Sequence, residues 1–123
     1  MNKLIIYIAL GVLVLGGLFY FLKPQPAPVV NQDSSIKVFQ LVVADRKLVA
    51  GPNVIQVNQG DSVTIGITAD ETNELHLHGY DLEVAFEKNS YSTISLVANL
   101  SGRFALELHE GKIEIGALEV LPK

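Results

Sequence analysis

The sequence predicts an all-β domain, a sandwich or barrel of short strands, carried behind one membrane-spanning helix. Three observations predict it. An uncharged apolar run opens the chain, a proline-rich stretch follows, and from Ile36 onward short runs of Val, Ile, Leu, Phe and Thr are punctuated by Gly, Pro, Asn and Asp. Many short strands at regular spacing with turn signals between them mark a sandwich or barrel. No stretch after Ile36 sustains helical periodicity, which argues against an α/β arrangement.

The helix comes first. Leu4–Leu22 reads LIIYIALGVLVLGGLFYFL, 19 residues without a charge, flanked by Lys3 and Lys23. At ~1.5 Å per residue the run spans about 28 Å, close to the hydrocarbon thickness of a bilayer. A cleavable signal peptide is the competing reading, but its apolar region runs only ~7–15 residues and ends at small residues. Here the run is longer and leads into Lys-Pro-Gln-Pro-Ala-Pro. We therefore expect a retained anchor over residues 1–23. One Lys on each side gives the positive-inside rule almost nothing to act on. Residues 24–35, rich in Pro and polar side chains, are expected to be an extended, semi-rigid spacer.

The folded domain is expected over 36–123, about 90 residues, enough for one core to fold unaided. Strands are predicted at Lys37–Val43, Asn53–Val57, Ser62–Thr68, Glu74–Tyr80, Leu82–Phe86, Ser92–Ala98, Arg103–His109 and Lys112–Val120. Breaks fall at Gly51-Pro52, Asn58–Asp61, Asp70–Asn73, Lys88-Asn89 and Ser101-Gly102. Alternation then assigns the faces, because successive strand residues point to opposite sides. Phe104, Leu106 and Leu108 take the core side, as do Leu75 with Leu77, Val63 with Ile65 and Ile67, and Ile94 with Leu96. That leaves His76 and His78 together on the far side of one strand, and Glu107 and His109 together on the far side of another. All 3 histidines of the chain thus lie outside the core.

Composition excludes several functions. The chain carries 13 acidic and 9 basic side chains, a net charge of −4, with no basic cluster of the kind nucleic acid requires. There is no Cys, which removes disulfides, thiolate ligands, Cys nucleophiles and a lipidated anchor. No serine sits in a nucleophile-elbow pattern, and one small domain offers no second metal or substrate chamber. We therefore do not expect an enzyme.

The stretch ELHLHGYD at Glu74–Asp81, then SGRFALELHE at Ser101–Glu110 and a last strand ending ALEVLP, resembles the cupredoxin fold. So does the earlier GPNVIQVNQGDSVTIGI at Gly51–Ile67. The likeness covers roughly Ile36–Lys123 and implies a Greek-key β-sandwich or barrel on the extracytoplasmic side. His76-Leu77-His78-Gly79 is similar to the His-x-His-Gly motif of multicopper oxidase domains, and Gly102–His109 to their later His-x-His segment. The resemblance implies that His76, His78 and His109 stand at copper-ligand positions, with Glu107 in place of a further histidine. Where a blue-copper protein has its thiolate, this chain has Leu108, and its one Met is Met1. A trigonal His₂Cys centre therefore cannot form.

Three imidazoles and a carboxylate still suit Cu(II) or Zn(II). Two residues apart on a strand, His76 and His78 have Cα atoms ~6.6–7 Å apart, close enough to converge on one ion. If the two strands are neighbours, as the resemblance implies, all four side chains can meet. The plainer reading is that polar residues on an outward strand face are solvated surface. The same holds for the loop Asp70–Glu74, read either as outer carboxylates or as a solvated turn, and for Tyr80 and Asp81, read either as orienting a ligand histidine or as packing and turn. The expected function is a copper-holding or copper-delivering module of type-2 character at a membrane. The alternatives are a metal-free docking part of a membrane complex, with a protein partner, and a zinc site that only stabilises the fold.

Overall fold

The computed structural model describes residues 2–23 and 35–123; Met1 and most of the proline-rich stretch, 24–34, lie outside the described residues. The chain divides into two compact units, Met1–Asn31 and Gln32–Lys123.

The first unit is the helix α1, Lys3–Phe21. Asn2 precedes it in extended conformation, with the Ile5 N–H bonded to the Asn2 carbonyl at 2.9 Å. No side chain caps it, none of its residues is buried, and its mean hydropathy reaches 2.5. Among the described residues it is the one helix long and apolar enough to cross a membrane. An apolar surface on every side has no aqueous solution of its own, and hydrocarbon provides one.

Among the described residues, the second unit is a sandwich of nine strands. They are β1 Ile36–Ala44, β2 Lys47–Ala50, β3 Val54–Asn58, β4 Ser62–Ala69, β5 Asn73–Leu77, β6 Leu82–Phe86, β7 Tyr91–Val97, β8 Gly102–Leu108 and β9 Ile113–Leu121. One sheet has the order β2-β1-β4-β7, the other β3-β9-β8-β5-β6. The β1–β4 and β3–β9 pairs are parallel and the rest antiparallel. The chain crosses repeatedly from one sheet to the other, as a Greek-key sandwich requires.

Eight of these strands are the predicted ones with ends shifted by a few residues. β2 was not expected. The turn before it, Asp45-Arg46, takes positive φ at both residues (50° and 59°) without a glycine to mark it. Contacts from elsewhere hold it: the Asp45 N–H donates to the Asp70 carboxylate, and Arg46 Nε reaches Glu71 Oε1 at 2.9 Å. β5 also ends earlier than predicted, at Leu77. Gly79 (φ 86°) and Asp81 (φ 55°) turn the chain immediately afterwards, and a Cβ at Gly79 would run into the Phe104 ring.

Core packing fixes which way every strand faces. Leu75 pairs with Leu108 and Leu77 with Leu106, all four at most 1% exposed. Burying each such side chain contributes ~1.5–3 kcal/mol. A one-residue slip would turn that whole row to water, so the register is strongly held. The residues between them, His76 and Glu107, are therefore opposite each other on the outer face.

Candidate metal centre

The outer face of β5, β6, β8 and β9 sets four carboxylates around all three imidazoles; farther along it, Arg103 of β8 stands opposite Glu119 of β9, 3.9 Å away. Glu74 and His76 stand on β5, Glu83 opposite His76 on β6, Glu107 on β8, and Glu114 opposite Glu107 on β9. His78 and His109 lie just past the ends of β5 and β8. Backbone bonds continue the ladder to both: the His78 N–H donates to Ala105 O at 3.0 Å and the His109 N–H to Glu74 O at 2.8 Å. That second bond places His109 directly across from Glu74.

Asn73 locks this corner. Its side chain is buried, and its Oδ1 accepts from the N–H groups of Glu74 (2.8 Å) and Glu110 (2.9 Å). Its Nδ2 donates to the Glu110 carbonyl at 3.4 Å. One side chain thus joins the start of β5 to the segment just beyond β8, where the two outermost donors sit.

Donor atoms of Glu74, His76 and His109 lie within 4.8 Å of one another. The His76 and His109 rings stack, with centroids 4.9 Å apart and planes 26° from parallel. His76 Nε2 lies 2.7 Å from Glu74 Oε1 and 3.3 Å from Glu83 Oε2. The hydrogen bond from His76 holds the Glu74 carboxyl below its usual range; partial burial opposes this, and Glu83 and the charge of His109 add to it. Groups that stabilise a carboxylate against protonation also keep it ready to ligate.

Of the four residues predicted from the sequence, His76 and His109 belong to this group. His78 and Glu107 form a neighbouring pair, with Nε2 3.4 Å from Oε1, and the His78 ring centroid is 6.2 Å from that of His76. Glu74, read from the sequence either as an outer carboxylate or as part of a solvated turn, is the carboxylate in the group. The signal was there: it stands two residues before His76 and shares its face. Glu83 was not legible, because its neighbour was unknown until β6 was paired with β5. Tyr80 does not orient a histidine. Its hydroxyl donates to the Leu100 carbonyl (2.8 Å) and accepts from the Leu100 N–H (3.0 Å), while its ring meets Phe104 edge-on. Asp81 is an exposed turn residue.

No protein-family model and no curated protein matches the chain. Its likeness to solved structures is to cupredoxin-like domains. A chain of a heme-copper terminal oxidase dimer, solved by cryo-EM, gives a TM-score of 0.61 at 14% identity, covering 97% of this chain and 99% of that one. A copper binding protein in its apo form, solved by NMR, gives 0.59 at 10% identity over 72% of this chain and 91% of that one. The periplasmic domain of subunit II of cytochrome oxidase from Bradyrhizobium japonicum gives 0.57 at 10% identity, covering 70% and 84%. The second unit therefore has a cupredoxin-like fold.

Proposed function

We propose that this chain is a membrane-anchored, extracytoplasmic domain that holds one copper ion as cargo and hands it on, without catalysis of its own. One observation carries the reading: Glu74, His76 and His109 offer three donor atoms within 4.8 Å of one another, on an exposed face. Two imidazoles and a carboxylate are a donor set that Cu(II) takes readily. The further carboxylates Glu83, Glu107 and Glu114 make the surroundings negative, which raises the local concentration of any cation. Exposure suits a carrier, because a cargo ion has to leave as well as enter.

The anchor in this reading is α1, retained, and its length and hydropathy support that role. The extracytoplasmic side is supported by the periplasmic location of the similar Bradyrhizobium domain. Washing membranes at high salt and alkaline pH should leave the protein in the pellet with its N-terminus at or near Met1. A mature terminus around Pro26–Gln32 would replace the anchor by a cleaved signal.

The test of the copper reading is a titration of the full-length protein in detergent. One Cu(II) per chain is expected, with only weak visible bands, since no thiolate exists to give the intense absorption of a blue site. The same donors accept Zn(II); zinc-dependent folding, with no advantage for copper, would favour a structural zinc site. A second reading keeps the fold and drops the metal. It is favoured by the largely apolar, exposed outer row of β1 on the other sheet, and by the end-to-end match to a chain of an oxidase dimer. Absence of copper binding would favour that docking role.

A further inference from the structure

The Glu74–His76–His109 group does not stand on a flat sheet. Beside it lies a pocket of about 240 Å³, lined by Thr72, Asn73, Glu74, Ala85, His109 and Glu110. Two of the three donor residues are thus also walls of the pocket. The group supplies three donors, whereas tetrahedral or tetragonal coordination takes four or more. His78 does not complete it, being paired with Glu107 at 3.4 Å.

The walls indicate what enters. Asn73 is fully engaged, by the backbone of Glu74 and Glu110 and by the Glu71 carboxylate, and forms a fixed floor. Thr72 Oγ1 accepts from the Lys88 N–H, so its own hydroxyl hydrogen can be donated to a ligand oxygen. Ala85 stands opposite Glu74 across the β5–β6 ladder, and its small side chain leaves the space open. The carboxylates of Glu74 and Glu110 disfavour a polyanion, the latter with Arg46 Nη2 4.0 Å away. The volume is below the roughly 300–1,000 Å³ typical of drug-sized ligands, so the occupant is small.

We propose that an ion held by Glu74, His76 and His109 takes a further ligand from this pocket, a small nitrogen or oxygen donor of the imidazole or α-amino carboxylate class. Copper then arrives or leaves as a complex with such a molecule, rather than as the aquo ion. This rests on the copper-holding reading and deepens it.

The experiment loads the full-length protein in detergent with one equivalent of Cu(II) and titrates it with imidazole, and separately with glycine. The EPR spectrum and the copper retained after dialysis are followed together. The expected result is a saturable change in the copper signal with the ion retained. Ala85→Phe and Thr72→Phe fill the pocket while leaving each donor residue in the sequence. Each should keep copper affinity within about threefold, the scale of an ordinary surface substitution. Each should weaken the added ligand by at least about tenfold, or ~1.4 kcal/mol. A spectrum that stays unmoved until the ion is stripped overturns the proposal and leaves copper holding intact. Variants that titrate like the parent overturn it too. Failure of the parent protein to bind copper overturns both readings together.

Discussion

The two outer faces of the sandwich are built on the same alternation and end in opposite chemistry. On the β2-β1-β4-β7 sheet, the outward row of β1 is Ile36, Val38, Gln40 and Val42, that of β4 is Ser62, Thr64, Gly66 and Thr68, and that of β7 is Tyr91, Thr93, Ser95 and Val97. Those three rows carry no charged group; the edge strand β2 adds the exposed Lys47, opposite Ala44. The sheet's one cross-strand side-chain bond is Thr64 Oγ1 to Ser95 Oγ, at 3.1 Å. The opposite face carries Glu74, Glu83, Glu107 and Glu114 with three histidines, sets Glu107 directly against Glu114, and has the Arg103–Glu119 ion pair at its far end. Like charges directly opposed across a ladder are destabilising. A solvated face has no need of that arrangement, whereas a face that binds a cation gains from it. The contrast separates a surface that tolerates water from one that is organised for charge.

The comparison is broken most severely at His76. His76→Ala should lower Cu(II) affinity by more than about 100-fold, beyond the 10–100-fold typical of groups that only orient a ligand. Apo stability should change by no more than about 0.5 kcal/mol, as for ordinary surface residues. Equilibrium dialysis and urea unfolding measure the two effects separately. A stability loss with unchanged copper affinity would make this face structural.

The next largest effect lies away from both faces. Asp61 is buried, and its carboxylate accepts from the Asn58 N–H at 2.9 Å and the Ser35 hydroxyl at 3.1 Å. The Asn58 bond is the main cause of its lowered pKa; burial opposes it, and Ser35 and Lys37 add to it. A depressed carboxylate contributes stability that is present above its ordinary value of 3.8 and is lost as pH falls through the lower folded value. Asp61→Ala should cost about 1–3 kcal/mol by leaving the Asn58 N–H and the Ser35 hydroxyl without their acceptor. It should also flatten the stability curve between 3.8 and the lower folded value, while copper binding near neutrality stays intact.

Within the charged face, the two carboxylates nearest the imidazoles should differ. Glu74→Gln should weaken copper more than Glu107→Gln does, because Glu74 belongs to the converging group and Glu107 to the His78 pair. Equal losses would mean that the ion sits between the two sets. The smallest effect is expected on the face of the other sheet. There a Cβ at Gly66 would meet the Tyr91 side chain, which can swing outward. Gly66→Ala should therefore cost at most about 1 kcal/mol and leave copper affinity unchanged.

Much of this contrast was legible in the sequence, for a reason particular to strands. Period-two alternation is absolute, so once Leu75, Leu77, Leu106 and Leu108 were placed inside, His76 and Glu107 had to be outside. Parity, however, says nothing about position along the ladder. It could not distinguish Glu74, which the His109 N–H bond brings level with that histidine, from Glu107, which stands opposite His76 but turns its carboxylate to His78. The strand after Asp45-Arg46 escaped notice because its turn is stabilised by Asp70 and Glu71, some 25 residues away, rather than by a local glycine. Glu83 and Asn73 likewise owe their roles to pairings that only the fold reveals.

The central claim is that one ion sits between Glu74, His76 and His109. Anomalous diffraction at the copper edge, from crystals of the copper-loaded protein, tests it most directly. The account predicts a single strong peak about 2.0–2.2 Å from a donor atom of each of these three residues, the distance expected for imidazole and carboxylate ligands. A peak centred instead on His78 and Glu107, or no ordered copper on this face, would contradict it.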